Sequence, residues 1–277
     1  MNETLPTIKE ILKKNNITIH KSLGQNFLFD LNLTDKIVKM SEPISSTIIE
    51  IGPGPGGLTR SILKKNPDIV FAIDKDPQSE LMLTELKEIY KEKLQLITAD
   101  AINYPIWDLG NYPRQVIANL PYNVGTKMLI SWLRHIKKFN KLTLMFQKEV
   151  ADRIIAPVGS LHYGRLSILT NWLTQTRKLF DIPGSAFIPS PKVTSTVIEL
   201  IPLEKPILDI SFNALEKITH LAFSQRRKML KSSLKTINGE AILDELQISS
   251  RLRPEQLTIN DFCRIAKKAF PSSSQEN

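Results

Sequence analysis

The chain has 277 residues, which accommodates one large domain or two smaller ones. Hydrophobic residues make up 42% of it, which supports a packed core and excludes an intrinsically disordered chain. The formal net charge of +9 is typical of a protein with an anionic partner such as nucleic acid, although an ordinary basic protein shows the same balance.

The single cysteine, Cys263, excludes an internal disulfide and a thiolate metal cluster, and we expect no metal site. No stretch approaches the roughly 20 apolar residues that cross a bilayer. Residues 1–14 lack the apolar region of a signal peptide, and Glu3 and Glu10 argue against a transit peptide. We therefore expect a cytoplasmic protein without a membrane partner.

Strands and helices are predicted to alternate over the first 200 residues. In chain order we predict a helix over 5–14, a loop over 21–28, a helix from Asp30 to Met40, a strand over 47–51, a helix over 58–65, a strand over 69–73, a helix over 79–90, strands over 94–98 and 115–118, a helix over 126–135, a strand over 142–146, and further helix and strand over 162–201. This alternation indicates an α/β fold, a parallel sheet wrapped by helices.

The pattern becomes helical only after the segment 202–206. Helices are predicted over 212–223, 227–235, 240–246 and 259–269, and residues 272–277 are predicted to be a frayed tail. We place a domain boundary at about residue 205, which gives a domain over 1–205 and a smaller all-helical domain over 206–277.

A glycine-rich loop follows the first strand of the alternation. Gly52, Gly54 and Gly56 fit the spacing GxGxG, and Gly52, Gly54 and Gly57 fit GxGxxG. Glycines there allow a tight turn and a close approach to a ligand. The loop fits an S-adenosylmethionine-dependent methyltransferase, an NAD-dependent oxidoreductase or a plain strand-to-helix turn.

Acidic residues end the next two strands. Asp74 lies about 20 residues after the loop, where a carboxylate accepts hydrogen bonds from ribose hydroxyls, and Asp76 is an alternative for that role. Asp74 is also interpretable as a helix-capping acid. Asp100, which precedes Ala101, is positioned to accept from the amine of an adenine ring, and both are predicted to contact the cofactor.

The fourth strand runs into Asn119, Leu120, Pro121 and Tyr122. An adenine amino nitrogen is a poor nucleophile, because its lone pair is delocalised into the ring. The side-chain oxygen of Asn119 and the carbonyl of Leu120 or Pro121 are predicted to accept from its N–H groups, and Tyr122 to stack on the base. Methyl transfer then needs positioning and charge complementarity but no covalent nucleophile. The alternative is a proline-terminated strand with an aromatic plug.

These motifs resemble the ribosomal RNA adenine dimethyltransferase family over nearly the whole chain. Residues 50–54 (EIGPG) resemble its first Rossmann motif, with Asp74 where the family usually has glutamate. Asp100 and Asn119 match, and Asn119 is expected to contact the cofactor as well as the substrate. Residues 21–28 (KSLGQNFL) resemble its N-terminal cofactor motif and imply contacts from Asn26 and Leu28.

Two further segments resemble the family. Residues 187–193 (FIPSPKV) imply that Phe187, otherwise interpretable as a core residue, stacks on a flipped adenine. Residues 222–228 (AFSQRRK) resemble the helical C-terminal domain. A basic stripe suited to phosphates, with a solvated helix face as the alternative, comprises Arg226, Arg227, Lys228, Lys231 and Lys235.

The resemblance implies a Rossmann-like S-adenosylmethionine-dependent methyltransferase sheet with a helical C-terminal domain. It implies dimethylation at N6 of two adjacent adenosines in a hairpin loop near the 3′ end of 16S rRNA, late in assembly of the immature 30S subunit, by a monomer. The alternatives are a large-subunit rRNA methyltransferase of the antibiotic-resistance type and a mainly non-catalytic ribosome-assembly factor. A mitochondrial transcription-factor relative lacks support, because no convincing transit sequence is present.

Overall fold

A computed structural model describes residues 5–17, 26–225 and 227–271. Its helices are α1 (Ile8–Lys14), α2 (Leu31–Met40), α3 (Gly57–Leu63), α4 (Gln78–Tyr90), α5 (Gly125–Leu133), α6 (Lys148–Ile154), α7 (Arg165–Leu173), α8 (Phe212–Ser224), α9 (Leu230–Ser233), α10 (Gly239–Glu245) and α11 (Ile259–Ala269). Its strands are β1 (Phe27–Leu28), β2 (Thr47–Ile51), β3 (Ile69–Asp74), β4 (Leu94–Thr98), β5 (Arg114–Asn119), β6 (Lys141–Gln147), β7 (Thr174–Ile182), β8 (Phe187–Ile188) and β9 (Ser195–Pro202).

Contacts divide the chain into two units. The first unit comprises Met1–Ala151 and Arg177–Pro202, and the second comprises Asp152–Thr176 and Leu203–Asn277. The segment 152–176 thus belongs with the C-terminal helices, whereas the predicted division cut the chain once, near residue 205.

A seven-stranded sheet has the order β4-β3-β2-β5-β6-β9-β7. The strands β2 to β6 pair in parallel, and β9 pairs antiparallel to β6. The order runs outward in both directions from the neighbours β2 and β5, so their carboxyl ends flank the switch point where ligands bind in open α/β sheets. The predicted α/β fold is confirmed.

The core of the first unit is built by buried strands and by helices that present apolar faces to them. Every residue of β2 is buried, as expected for a parallel strand covered on both faces. Ile37 and Val38 of α2 and Leu83 and Leu86 of α4 join the same core. As predicted, Asp30 begins α2 by accepting a hydrogen bond from the amide of Asn32 at 2.9 Å.

A second, two-stranded sheet joins β1 to β8 in antiparallel pairing, with Leu28 opposite Phe187. It brings the end of the predicted N-terminal cofactor motif against the predicted distal motif. Residues 21–25 of the cofactor motif lie outside the described residues.

Aromatic side chains hold the second unit together. The ring of Phe223 on α8 contacts those of Tyr163 and Phe262, with centroids 6.4 and 5.8 Å apart. The hydroxyl of Tyr163 donates to the carbonyl of Leu257 at 3.0 Å. Within the described ranges, every helix is too short or too polar to cross a bilayer.

One predicted helix is wrong. The segment 227–235 contains only the short helix α9, because the amides of Leu230 and Lys231 donate to the carbonyls of Leu252 and Ser250, at 2.8 and 3.1 Å. These tertiary bonds replace the hydrogen bonds of a longer helix.

Candidate active site

A cleft lies at the carboxyl ends of β2 to β5, with about 910 Å³ of space that includes open solvent. The end of each strand contributes to it, as the doubly wound topology requires. Its lining comprises Asn26, Phe27, Ile51, Gly52, Ile73, Asp74, Lys75, Asp76, Ala99, Asp100, Ala101, Ile102, Asn119, Leu120, Pro121, Tyr122, Asn123, Val124 and Met128.

The three predicted loop glycines have different surroundings. Gly52 lines the cleft at a φ of +66°, and its amide donates to the carbonyl of Ile73. A side chain on Gly54, whose φ is +50°, would overlap the ring of Phe27. One on Gly56 would meet Leu83 and Leu86 of α4, so this glycine serves helix packing rather than lining the cleft.

Asp74 and Asp76 both line the cleft but have different partners. Asp74 accepts from the amide of Asp76 at 3.0 Å, and Asp76 accepts from the amide of Gln78 at the start of α4. Burial raises the pKa of Asp74, and the amide of Gly54 is among the donors that oppose this rise. Asp76 thus bonds the first amide of α4 from the turn before the helix, whereas the N-cap residue is Pro77, and Asp74 faces the glycine loop.

Asp100 and Ala101 lie together just after β4. Asp100 is exposed, lines the cleft and accepts from the amide of Ile102 at 3.0 Å. That local bond fixes the carboxylate at the strand end. Ala101 is buried, and it leaves room for a ligand because its side chain is small.

The amide of Asn119 has a defined orientation. Its Nδ2 donates to the backbone carbonyl of Asn26 at 2.8 Å. Since Oδ1 lies on the opposite side of the planar amide, this bond turns the acceptor oxygen away from Asn26. The N-terminal segment therefore orients the residue that the sequence predicts to grip an adenine amine.

The carbonyl of Pro121 is occupied by the turn that starts α5. It accepts from the amides of Val124 and Gly125, at 3.2 and 2.9 Å. Of the two carbonyls considered from the sequence, that of Leu120 is therefore the better second acceptor. Tyr122 lines the cleft beside it and is half-buried.

Phe187 and Leu28 lie behind the cleft. Phe187 is 1% exposed within the core and is not part of the cleft lining. Its position matches the core interpretation, and stacking on a base would require it to move. Leu28 is buried opposite Phe187 and lines a small adjoining cavity.

Glu50 is a site residue that the motif-based prediction overlooked. It is 1% exposed near the carboxyl end of β2, lines the adjoining cavity with Gly52 and Asn119, and its Oε2 has no hydrogen-bond partner among the described residues. Burial, reinforced by the charge of Asp74, raises the pKa of Glu50 to about 8. The signal in the sequence was a charged residue within a β-branched run.

The basic residues predicted to bind RNA belong to the second unit. Arg227, Lys228 and Lys231 are exposed, and Arg226 lies outside the described residues. The bonds from Leu230 and Lys231 to the segment 250–252 bring further exposed cations, Arg251 and Arg253, to the same segment. Linear reading of the sequence missed these two arginines.

The cleft fits S-adenosylmethionine on its own chemistry. Gly52 leaves room at the end of β2, Asp74 and Asp100 offer carboxylates for ribose and adenine, and Glu50 has an oxygen without a partner among the described residues that suits a positively charged group. The same parts apart from Glu50 suit a dinucleotide, but the oriented amide of Asn119 has no role in hydride transfer.

Comparison with known proteins identifies the family to which the chain is similar. The family model of ribosomal RNA adenine dimethylase matches residues 16–269. The chain is 45% identical to ribosomal RNA small subunit methyltransferase A of Paramagnetospirillum magneticum, over 95% of this chain and 94% of that protein.

Solved structures agree with this match. A dimethyladenosine transferase from Plasmodium falciparum is similar at a TM-score of 0.75 and 27% identity, over 86% of this chain and 95% of that one. The 23S rRNA methyltransferase ErmE shares the fold at a TM-score of 0.65 and 22% identity, over 88% and 99% of the two chains. The chain belongs to the ribosomal RNA adenine dimethylase family.

Proposed function

We propose that this protein uses S-adenosylmethionine to dimethylate N6 of two adjacent adenosines near the 3′ end of 16S rRNA. The oriented amide of Asn119 beside Tyr122 is the observation that carries the proposal. The similarity to small-subunit methyltransferases at 45% identity supports the choice of subunit.

The site supports amine methylation through two acceptors and a stacking surface. Asn119 Oδ1 and the carbonyl of Leu120 accept from the two N–H groups of the adenine amine, which favours a tetrahedral nitrogen with a localised lone pair. Tyr122 stacks on the base and fixes its plane. S-adenosylmethionine supplies the methyl group as an electrophile and becomes a neutral thioether.

The chain holds the cofactor through the residues around β2, β3 and β4. Asp74 accepts from the ribose hydroxyls and Asp100 from the adenine amine. Glu50 releases its proton when a positively charged group binds beside it, and the resulting carboxylate balances that charge. Gly52 leaves the space that a side chain would fill. The contacts predicted for Asn26, Leu28, Gly54, Gly56 and Ala101 remain part of this proposal, as does a stacking role for Phe187.

The experiment is transfer of labelled methyl groups to small subunits that lack the modification, with large subunits as the matched control. We expect N6,N6-dimethyladenosine at two adjacent positions of 16S rRNA. Label on large subunits alone would favour the antibiotic-resistance type of activity, and a folded protein that labels neither would refute the proposal.

Asn119→Ala tests the site directly. We expect transfer to be lost while binding of S-adenosylmethionine stays detectable by calorimetry, because the main action of Asn119 is on the adenine amine. Retained turnover would contradict this assignment.

We also propose that the exposed cations of the second unit bind rRNA phosphates. Arg227, Lys228, Lys231, Arg251 and Arg253 supply the charge, since phosphate contacts dominate the affinity for RNA. Arg251→Ala should weaken subunit binding and lower its salt dependence by about one counterion, whereas the exposed Lys205→Ala should not.

This cationic surface supports an assembly role as a second function. An Asn119→Ala protein that still binds immature small subunits would separate docking from catalysis. The proposal includes a monomer, to be checked by light scattering, and a cytoplasmic location, where the small subunit is found.

A further inference from the structure

The hydroxyl of Tyr122 lies 2.7 Å from the hydroxyl of Ser195, a hydrogen-bonding distance. Tyr122 belongs to the reactive loop after β5, and Ser195 is the first residue of β9. The bond therefore links the loop that meets the substrate to a strand two positions away in the sheet.

Ser195 is a rigid anchor. It is fully buried, and its backbone pairs with Gln147 at the end of β6. The pairing continues beyond the two strands, because the amide of Lys148 at the start of α6 donates to the carbonyl of Thr194 just before β9, at 2.9 Å. The serine hydroxyl thus has a fixed position relative to the sheet.

The backbone of the reactive loop is held separately from the ring of Tyr122. The carbonyl of Pro121 holds the turn through Val124 and Gly125, but these bonds leave the side-chain torsions of Tyr122 unrestrained. The contact at the far end of the ring restrains them. Burial raises the pKa of the Tyr122 hydroxyl, so it keeps its proton at neutral pH.

We propose that Ser195 is a positioning residue that anchors the hydroxyl of Tyr122 and so presents one fixed face of its ring to the target adenine. This inference rests on the proposed function. A ring that tilts freely stacks the adenine in several orientations, and few of them align its nitrogen for in-line attack. Loss of the bond should therefore lower kcat/KM for the RNA substrate and leave the affinity for the cofactor unchanged.

The test is a double-mutant cycle on methyl transfer to small subunits. Ser195→Ala and Tyr122→Phe each remove one hydroxyl of the pair, and both leave an aromatic ring at position 122. We expect each to lower kcat/KM for the subunit about tenfold, the effect of losing about 1.4 kcal/mol, with an unchanged Kd for S-adenosylmethionine. The double variant should lose no more than either single one. Ser195→Thr keeps a hydroxyl at this position, so it should retain most of the activity that Ser195→Ala loses.

Controls separate positioning from folding. Ser131→Ala, a half-buried serine on α5, should leave turnover and the unfolding midpoint unchanged. A merely structural Ser195 would show a lowered midpoint in Ser195→Ala and full activity in Tyr122→Phe, which overturns the inference. Losses that multiply in the double variant overturn it too. A wild-type protein that transfers no methyl group refutes the proposed function itself.

Discussion

Replacing Glu50 by glutamine removes a buried ionisable group next to the cleft and keeps the shape of the side chain. The pKa of this carboxyl rises from 4.5 to about 8 in the folded chain. Between these values the native state holds one proton more than the unfolded state. The free energy of unfolding must therefore fall as the pH rises, by about 1.4 kcal/mol per pH unit.

The full effect is on the order of 5 kcal/mol, since the stabilisation is complete below the unfolded pKa and is lost as the pH rises through the folded one. Urea unfolding of the ligand-free protein, from about pH 5 to about pH 8, measures it. As the pH rises over this range, the free energy of unfolding should fall less in Glu50→Gln than in the wild type, and the full effect is the upper limit of the difference. The exposed Glu92→Gln should follow the wild type.

The same substitution should weaken cofactor binding, because glutamine offers no charge to a cationic ligand. We expect the Kd for S-adenosylmethionine to rise about tenfold at about pH 8 by calorimetry. Parallel pH dependence of stability in wild type and Glu50→Gln would refute the reasoning, because it would mean that Glu50 titrates alike in both states.

Further substitutions probe other parts of the fold. Asp74→Asn should raise the Kd for S-adenosylmethionine by about tenfold in calorimetry, and Asp76→Asn should raise it less, because only Asp74 faces the glycine loop. Gly57→Ala places a Cβ 2.6 Å from the carbonyl oxygen of Leu28, so it should displace β1 and cost about 2 kcal/mol in urea unfolding; an unchanged midpoint would contradict this contact. Lys141→Met removes one of the cations beside the buried carboxylate of Glu199 and should lower the free energy of unfolding by about 3 kcal/mol. A smaller loss that grows with pH in urea unfolding would mean that Glu199 takes up a proton instead.

The sequence predicted that the site residues lie close together because each of them stands at the end of a parallel strand. Gly52, Asp74, Asp100 and Asn119 each follow a β-branched or apolar run, and parallel strands bring such ends to one edge. The residue types at the strand ends were therefore sufficient to predict that these side chains share one site, and the strand register adds only the distances between them.

Other features depended on contacts between distant segments. The choice between the carbonyls of Leu120 and Pro121 follows from a turn that the sequence does not specify. The break in the predicted helix over 227–235 follows from backbone bonds to the segment 250–252, and helical periodicity contains no information about them. The position of Phe187 required knowledge of its pairing with Leu28.

The short ladder between β1 and β8 has a thermodynamic consequence. The segment 26–28 orients Asn119, covers Gly54 and pairs with the strand that holds Phe187. A cofactor that fixes the position of this segment thus also fixes Asn119 and β8, which lie on the side where the target base binds. In the proposed reaction the binding of the two substrates is coupled: the factor by which one substrate raises the affinity for the other is the same in both directions.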